Sequence, residues 1–296
     1  MKIREAGEAD AAEIVEVYTY GESIDDRLER VRRFGWWGDE EALAWYLKAL
    51  KSVGGVSLVA EEEGEVVGEA EIAPDKDPSL VGEHAFLLSL WVHPKWRGRG
   101  IARSLLEGCI EVARSWGFNT LDTVPFAGTE RFFANVGFSK VATQLVVEAE
   151  TRVAPELAGL VKLGPDDYPE RLAMLAGHFR PGRLSWRLLW GQSEIGLALP
   201  SPQAYAVRMG SWNFTILLYA QPSRNGPLAV ALMWGEPRVS SAQVFGALEV
   251  SLRLASEAGF ARVRSQPWER FRSAFAAAGF VEKEKRPWLR KTIRPK

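Results

Sequence analysis

The sequence predicts an α+β protein in which helices are layered on both sides of a mixed, mostly antiparallel sheet, the whole unit occurring twice in tandem. Three observations predict this. Two distant segments share one spaced template, alternating apolar runs of strand length are interleaved with helical periodicity, and glycines fall where those runs end. The first template is Gly117-Phe118, six residues, Pro125, seven residues, Phe133, three residues, Gly137-Phe138. The second, Gly259-Phe260, Pro267, Phe275 and Gly279-Phe280, keeps the same spacings without a gap. After each last Gly-Phe the chain alternates like a strand, as SKVATQLVVEAE and as VEKEKRPWLRKTI.

Within the first copy the elements follow in order. Residues 1–6 read as a strand, and the acidic turn after them caps a helix over 8–19. Helices are expected across 23–52. GVSLVAEEEGEVVGEAEIA (55–73) reads as a hairpin turning at Glu63-Gly64, and a strand follows over 83–92. A helix over 100–116 puts Ile101, Leu105, Cys109, Val112 and Trp116 on one face, and Gly117 stands where a left-handed cap ends it. A strand over 120–124, a helix over 128–136 and a strand over 138–149 complete the copy. LVKLGPDDYPERLAML opens the second copy as MKIREAGEADAAEIVEV opens the first, so strand, acidic turn and helix are expected there too. The join is expected near 150–157, at Pro155, giving domains of 1–150 and 151–296.

Hydrophobic residues make up 47% and charged residues 25% of the 296, the balance of a globular protein. The charged start and the absence of a long apolar run argue against a signal peptide or a membrane span. A single cysteine, Cys109, forms no internal disulfide and fits a reducing cytoplasm. Three histidines without metal-ligand spacing argue against a metal site. Asn, Gln, Cys and Met are scarce, as in thermophile proteins. The net charge of -1 conceals opposed halves, -11 over residues 1–150 and +10 over the rest. Such halves attract each other or face different partners.

The stretch WVHPKWRGRGIARSLL (91–106) carries the chemistry. A strand stops at His93-Pro94, two glycines alternate with cations, and a helix begins. The first turn of a helix offers unpaired N–H donors at the positive end of its dipole, and glycines at 98 and 100 let a ligand approach the backbone. With Lys95, Arg97 and Arg99 beside it, the turn suits a phosphate or pyrophosphate. A Walker loop is excluded because Ile-Ala-Arg, not Lys-Ser/Thr, follows Gly100, and a dinucleotide fingerprint because position 103 is Arg.

Arg97-Gly98-Arg99-Gly100-Ile101-Ala102 resembles the Arg/Gln-x-x-Gly-x-Gly/Ala signature of the Gcn5-related N-acetyltransferase (GNAT) superfamily. Leu90-Trp91-Val92-His93-Pro94 resembles that family's strand ending, and Gly137-Phe138 its late landmark. The resemblance implies that the amides of Gly98, Arg99, Gly100, Ile101 and Ala102, with the Arg97 side chain nearby, hold the pyrophosphate of acetyl-CoA as cosubstrate. It implies that the main chain of Leu90, Trp91 and Val92 pairs with the pantetheine arm, and that an acetyl group passes directly to a primary amine, on a small molecule or a peptide.

Such transfer needs a base for the amine. Strict alternation puts residues 84, 86, 88, 90 and 92 on one face, where His84 is the first titratable group, with Glu71 on the neighbouring hairpin strand as the second candidate. The acid-rich hairpin either draws a cationic amine or is a solvated face. Where relatives often carry a tyrosine to protonate the leaving thiolate, this chain has Phe133. The second copy reads EPRVSSAQVFGALEV in place of HPKWRGRGIARSLLEG, losing both loop glycines, and is expected to be degenerate. Three functions are thus weighed: an N-acetyltransferase active in its first copy, a non-catalytic acyl-CoA sensor, and a nucleic-acid or protein scaffold using the basic tail. No RNA-binding motif accompanies that tail. A pseudo-dimer within one chain fits a monomer, though a homodimer is equally open.

Overall fold

The computed structural model describes residues 1–23, 26, 38–153, 159–177, 180–192, 200–221, 223 and 226–293. Part of the expected 23–52 helices and Pro155 at the expected join lie outside these residues. Two compact units emerge. One holds Met1–Asp75, His84–Ser139 and Leu289–Lys296, the other Lys76–Glu83 and Lys140–Trp288. A single cut at 150 therefore does not describe them. Residues 140–150 group with the second unit and the chain's last residues with the first.

In the first unit β1 (Lys2–Glu5), β2 (Val56–Glu62), β3 (Glu65–Asp75) and β4 (His84–Val92) are successive antiparallel neighbours. The β2–β3 hairpin turns at Glu63 (φ 55°) and Gly64 (φ 86°), both left-handed, as a tight hairpin requires. β5 (Thr120–Thr123) is parallel to β4 and takes as its other neighbour Leu289–Thr292, the end of β13 (Val281–Thr292). The strand expected over 138–149 does not take that place. The C-terminal residues hold it because Leu289 and Ile293 enter the core and Arg290 donates to Asp122 Oδ1 and Oδ2 at 2.7 and 2.6 Å.

Helix α1 (Ala11–Thr19) and α2 (Glu40–Ser52), the latter capped by the Asp39 side chain on Ala42 N, meet one face of this sheet. Helix α3 (Ile101–Ser115) meets the other, burying Ile101, Leu105 and Cys109 against Ala70, Ile72 and Leu87. Cys109 is a packing residue whose thiol pKa burial raises. Helix α4 (Glu130–Asn135) places Phe133 edge-on to Phe132 and Phe138 in the same core.

The second unit aligns β6 (Ser139–Glu150), β12 (Arg262–Ser265), β11 (Leu228–Gly235), β10 (Trp212–Gln221), β9 (Gln203–Met209) and β7 (Leu160–Leu163) in that order. Its helices are α5 (Gly182–Trp190), α6 (Ser241–Glu257) and α7 (Arg272–Ala277). The helix expected early in this copy is instead β8 (Ala173–Ala176), a strand on β11. Pro169 interrupts the helical run, and an open strand edge on β11 outcompetes weak local propensity. Both units are α+β with mostly antiparallel sheets. No helix among the described residues is long and apolar enough to cross a membrane.

Candidate functional site

The chain leaves β4 through a short 3-10 turn, Pro94–Trp96, and enters α3 through Gly98 (φ 79°) and Gly100 (φ 85°). Among the described residues no side chain or non-adjacent backbone lies within 4 Å of a Cβ built on either glycine, so backbone conformation, not crowding, selects them. Gly100 is the N-cap residue of α3 and offers no side chain to its first amides. The first amides tied back are those of Arg103 and Ser104, both to Gly100 O. The N–H groups of residues 98–102 thus gather at a helix start whose first turn holds no acid.

The flanking cations rest on aromatic rings. Arg97 donates to Val92 O at 3.1 Å and lies 5.5 Å from the Trp91 ring centroid, and Arg99 lies 4.5 Å from that of Trp96. Lys95 Nζ stands 5.0 Å over Tyr20. Burial, then Lys95, holds the His93 pKa below the usual histidine value.

Next to this turn two strands part. β3 accompanies β4 along its whole length, but β5 pairs with β4 only at Ala85↔Leu121 and Phe86↔Asp122. A hydrogen bond from Thr123 Oγ1 to Leu87 O, 3.0 Å, closes the apex. Beyond it Leu90, Trp91 and Val92 run on without β5, leaving an edge that an extended ligand with amide groups can join.

On β4 the register shifts between Glu71↔Ser89 and Ile72↔Leu87, so Leu88 is an extra, bulged residue. This corrects the strict alternation expected from sequence. His84 and Phe86 share a face with Ser89 and Trp91, not with Leu90 and Val92. That face is the one bearing Glu69 and Glu71 of β3, opposite the α3 side.

Both glutamates are fully buried, so this end of the acid-rich hairpin is not a solvated face. Ser57 Oγ donates to Glu69 Oε1 and Tyr18 Oη to Glu69 Oε2, each at 2.6 Å, and Tyr18 is also hydrogen-bonded to Ser89. Tyr46 Oη donates to Glu71 Oε2 at 2.6 Å. Burial first, and then Glu71 beside it, drive the Glu69 pKa well above the usual carboxylate range, and a hydrogen bond to Glu71 adds to the rise. The Tyr18 pKa is raised by burial and by both carboxylates. Burial and the neighbouring Glu71 thus favour the protonated form of Glu69.

His84 is 1% exposed at the start of β4, its Nε2 3.6 Å from Asp75 Oδ2. It faces the same side as the glutamates yet lies far along the strand from the glycine turn, whereas Glu71 joins the cluster. Tyr18, Tyr46, Ser57 and Ser89 were not singled out from sequence. The available signal was the pair of acids inside an otherwise apolar strand, EAEIA (69–73), with hydroxyl-bearing residues on α1 and α2. Phe133 brings no proton donor. In the second unit the corresponding helix start, α6, is closed on itself, with Gln243 Oε1 accepting from Ser240 N at 2.7 Å.

The pattern described as Acetyltransferase (GNAT) family matches residues 22–138. An L-methionine sulfoximine/L-methionine sulfone acetyltransferase of Salmonella typhimurium is 33% identical over 123 residues, 40% of this chain and 66% of its own length, just under two thirds. A GCN5-related N-acetyltransferase structure from Anabaena variabilis aligns with TM-score 0.66 at 13% identity, over 99% of this chain and 73% of that one. A tandem GNAT protein from the clavulanic acid biosynthesis pathway aligns with TM-score 0.57 at 17% identity, over 100% and 99% of the two chains.

Proposed function

We propose that this chain is an acetyltransferase of the GNAT family and that its first unit transfers the acetyl group of acetyl-CoA to a primary amine. The observation that carries the reading is the glycine turn opening α3 directly beside the parting of β4 and β5. The amides of residues 98–102, with Arg97 and Arg99, receive the pyrophosphate. The main chain of Leu90, Trp91 and Val92 pairs with the pantetheine amides as an added strand.

The amine nitrogen attacks the thioester carbon, forming the C–N bond as the C–S bond breaks. The amine's proton passes to the buried carboxylates through Ser89 and then Tyr18, which is hydrogen-bonded both to Ser89 and to Glu69. A carboxylate of raised pKa is a better base near neutral pH than a free one. Glu71 shares that proton, and His84 is the alternative acceptor at the far end of the same face. The departing CoA thiolate takes its proton from water, because Phe133 has none to give. Acceptors are small amines or peptides. Amino acids and their sulfoximine or sulfone relatives are the first to try, since the Salmonella protein is named for them. The second unit, without the glycine turn, is read as degenerate.

The buried Phe133 favours one other reading, an acyl-CoA-binding protein that does not turn over. Thiol release from acetyl-CoA with a panel of amines separates the two. The transferase releases CoA with at least one amine, while binding without release on any amine sinks it. Gly100→Glu is expected to abolish acetyl-CoA binding while the circular dichroism spectrum stays unchanged. Full binding by that variant would overturn the assignment of the turn.

A further inference from the structure

The second unit contains the same strand parting as the first, and its own chain fills it. β11 and β12 are the counterparts of β4 and β5. They pair in parallel at Leu228↔Arg262 through Ala231↔Ser265, and Ser265 Oγ donates to Ala231 O at 2.8 Å, as Thr123 does to Leu87 O. Sequence correspondence then matches Met233-Trp234-Gly235-Glu236-Pro237 to Leu90-Trp91-Val92-His93-Pro94.

From Met233 onward β11 leaves β12, and β8 enters the gap. On one side Ala176, Met174 and Ala173 pair with Met233, Trp234 and Gly235. On the other, Gly177 N donates to Gln266 O at 3.0 Å, Trp268 N donates to Leu175 O at 3.3 Å, and Ala176 bridges Pro267. The strand edge that runs on without β5 along Leu90–Val92 in the first unit is thus met by backbone in the second.

The side chains have adjusted to this occupant. Where the first unit has Val92 the second has Gly235, and a Cβ there would stand 2.6 Å from Leu175 Cδ1 and 3.0 Å from Phe214. Leu175 is fully buried. The register of β10 on β11 runs unbroken from Phe214↔Gly235 to Gln221↔Leu228, so the bulge at Leu88 has no counterpart. The segment that makes β8 is the one that makes helix α1 in the first copy. Turning a helix into a strand both supplied the filler and removed the α1 carbonyl that holds the Trp91 indole N–H, the one of Val17.

We propose that β8 is a built-in occupant of the second unit's strand crevice, lying where the first unit takes the amide-bearing arm of acyl-CoA, so that each chain holds one acyl-CoA. The second half of that statement rests on the proposed function, whereas the filled crevice does not. Hydrogen–deuterium exchange on the full chain, with and without CoA, tests both. Peptides covering 172–177 and 232–236 are expected to exchange slowly without ligand and to be unchanged by CoA, while 88–93 gain protection. Rapid exchange of 172–177 without ligand, or protection of 232–236 by CoA, overturns the proposal, as does calorimetry giving two CoA per chain. If CoA protects no peptide while 172–177 stay slow, the filled crevice is upheld and the failure falls on the functional reading. Gly235→Val, which restores the first unit's residue, is expected to speed exchange of 172–177 about tenfold or more. Unaltered exchange there counts against the fit of Leu175 to Gly235.

Discussion

Replacing Arg290 with methionine probes whether the C-terminal strand segment belongs to the first unit. The guanidinium makes two charge-assisted bonds, 2.7 and 2.6 Å, to Asp122, whose side chain is fully buried while that of Arg290 is 21% exposed. Removing one partner of a buried pair costs about 3–5 kcal/mol, and the partial exposure of Arg290 argues for the lower end. At about 2–4 °C per kcal/mol for a unit of this size, Tm is expected to fall by roughly 6–12 °C. Asp122 also sits opposite Phe86, the last paired position before β4 and β5 part, so CoA affinity should fall with stability. The informative control is Arg290→Met with Asp122→Asn, which removes the buried charge together with its partner and should recover most of the lost stability. Differential scanning calorimetry and CoA titration read both effects. A single variant within about 2 °C of the parent, or a double variant no better than the single, would refute the claim that these last residues lock the strand parting.

Glu69→Gln tests the protonated state of the buried pair. The native pKa of Glu69 is raised, so its contribution to stability is complete below the unfolded carboxylate pKa and is lost as pH climbs toward the native one. Glutamine does not titrate. The variant should therefore gain on the parent by about 1.4 kcal/mol per pH unit across that window, followed by urea unfolding from pH 4 to 8, and a constant gap would show an ionised Glu69. Gly100→Ala, forcing a side chain into a left-handed cap, should cost about 1 kcal/mol and weaken acetyl-CoA binding less than Gly100→Glu, which thermal shift ranks directly. If His84 accepts the amine's proton, His84→Ala flattens the acidic limb of the pH–rate profile. Should Glu71→Gln flatten it instead, the base belongs to the glutamate pair.

What could be read along the chain was what neighbours in the chain decide. The duplicated Gly-Phe template, the left-handed turn at Glu63-Gly64, the buried face of α3 and the open glycine turn at 98–100 all follow from local sterics and periodicity, and each is present in the fold. Four features depended on partners far off in sequence. The extra residue Leu88 reverses which side chains of β4 face Glu69, because register is fixed across strands and not along one. An acid-rich strand looks solvated until α1 and α2 bring Tyr18 and Tyr46 over it. Residues 289–292, not 139–150, line the outer edge of β5, since any alternating strand can satisfy an open edge and the Asp122–Arg290 pair selects between them. The segment 173–176 became a strand because unpaired backbone on β11 is costlier than a lost helical turn. Local propensity wrote the elements, and the need to pair every buried backbone and charged group chose where they went.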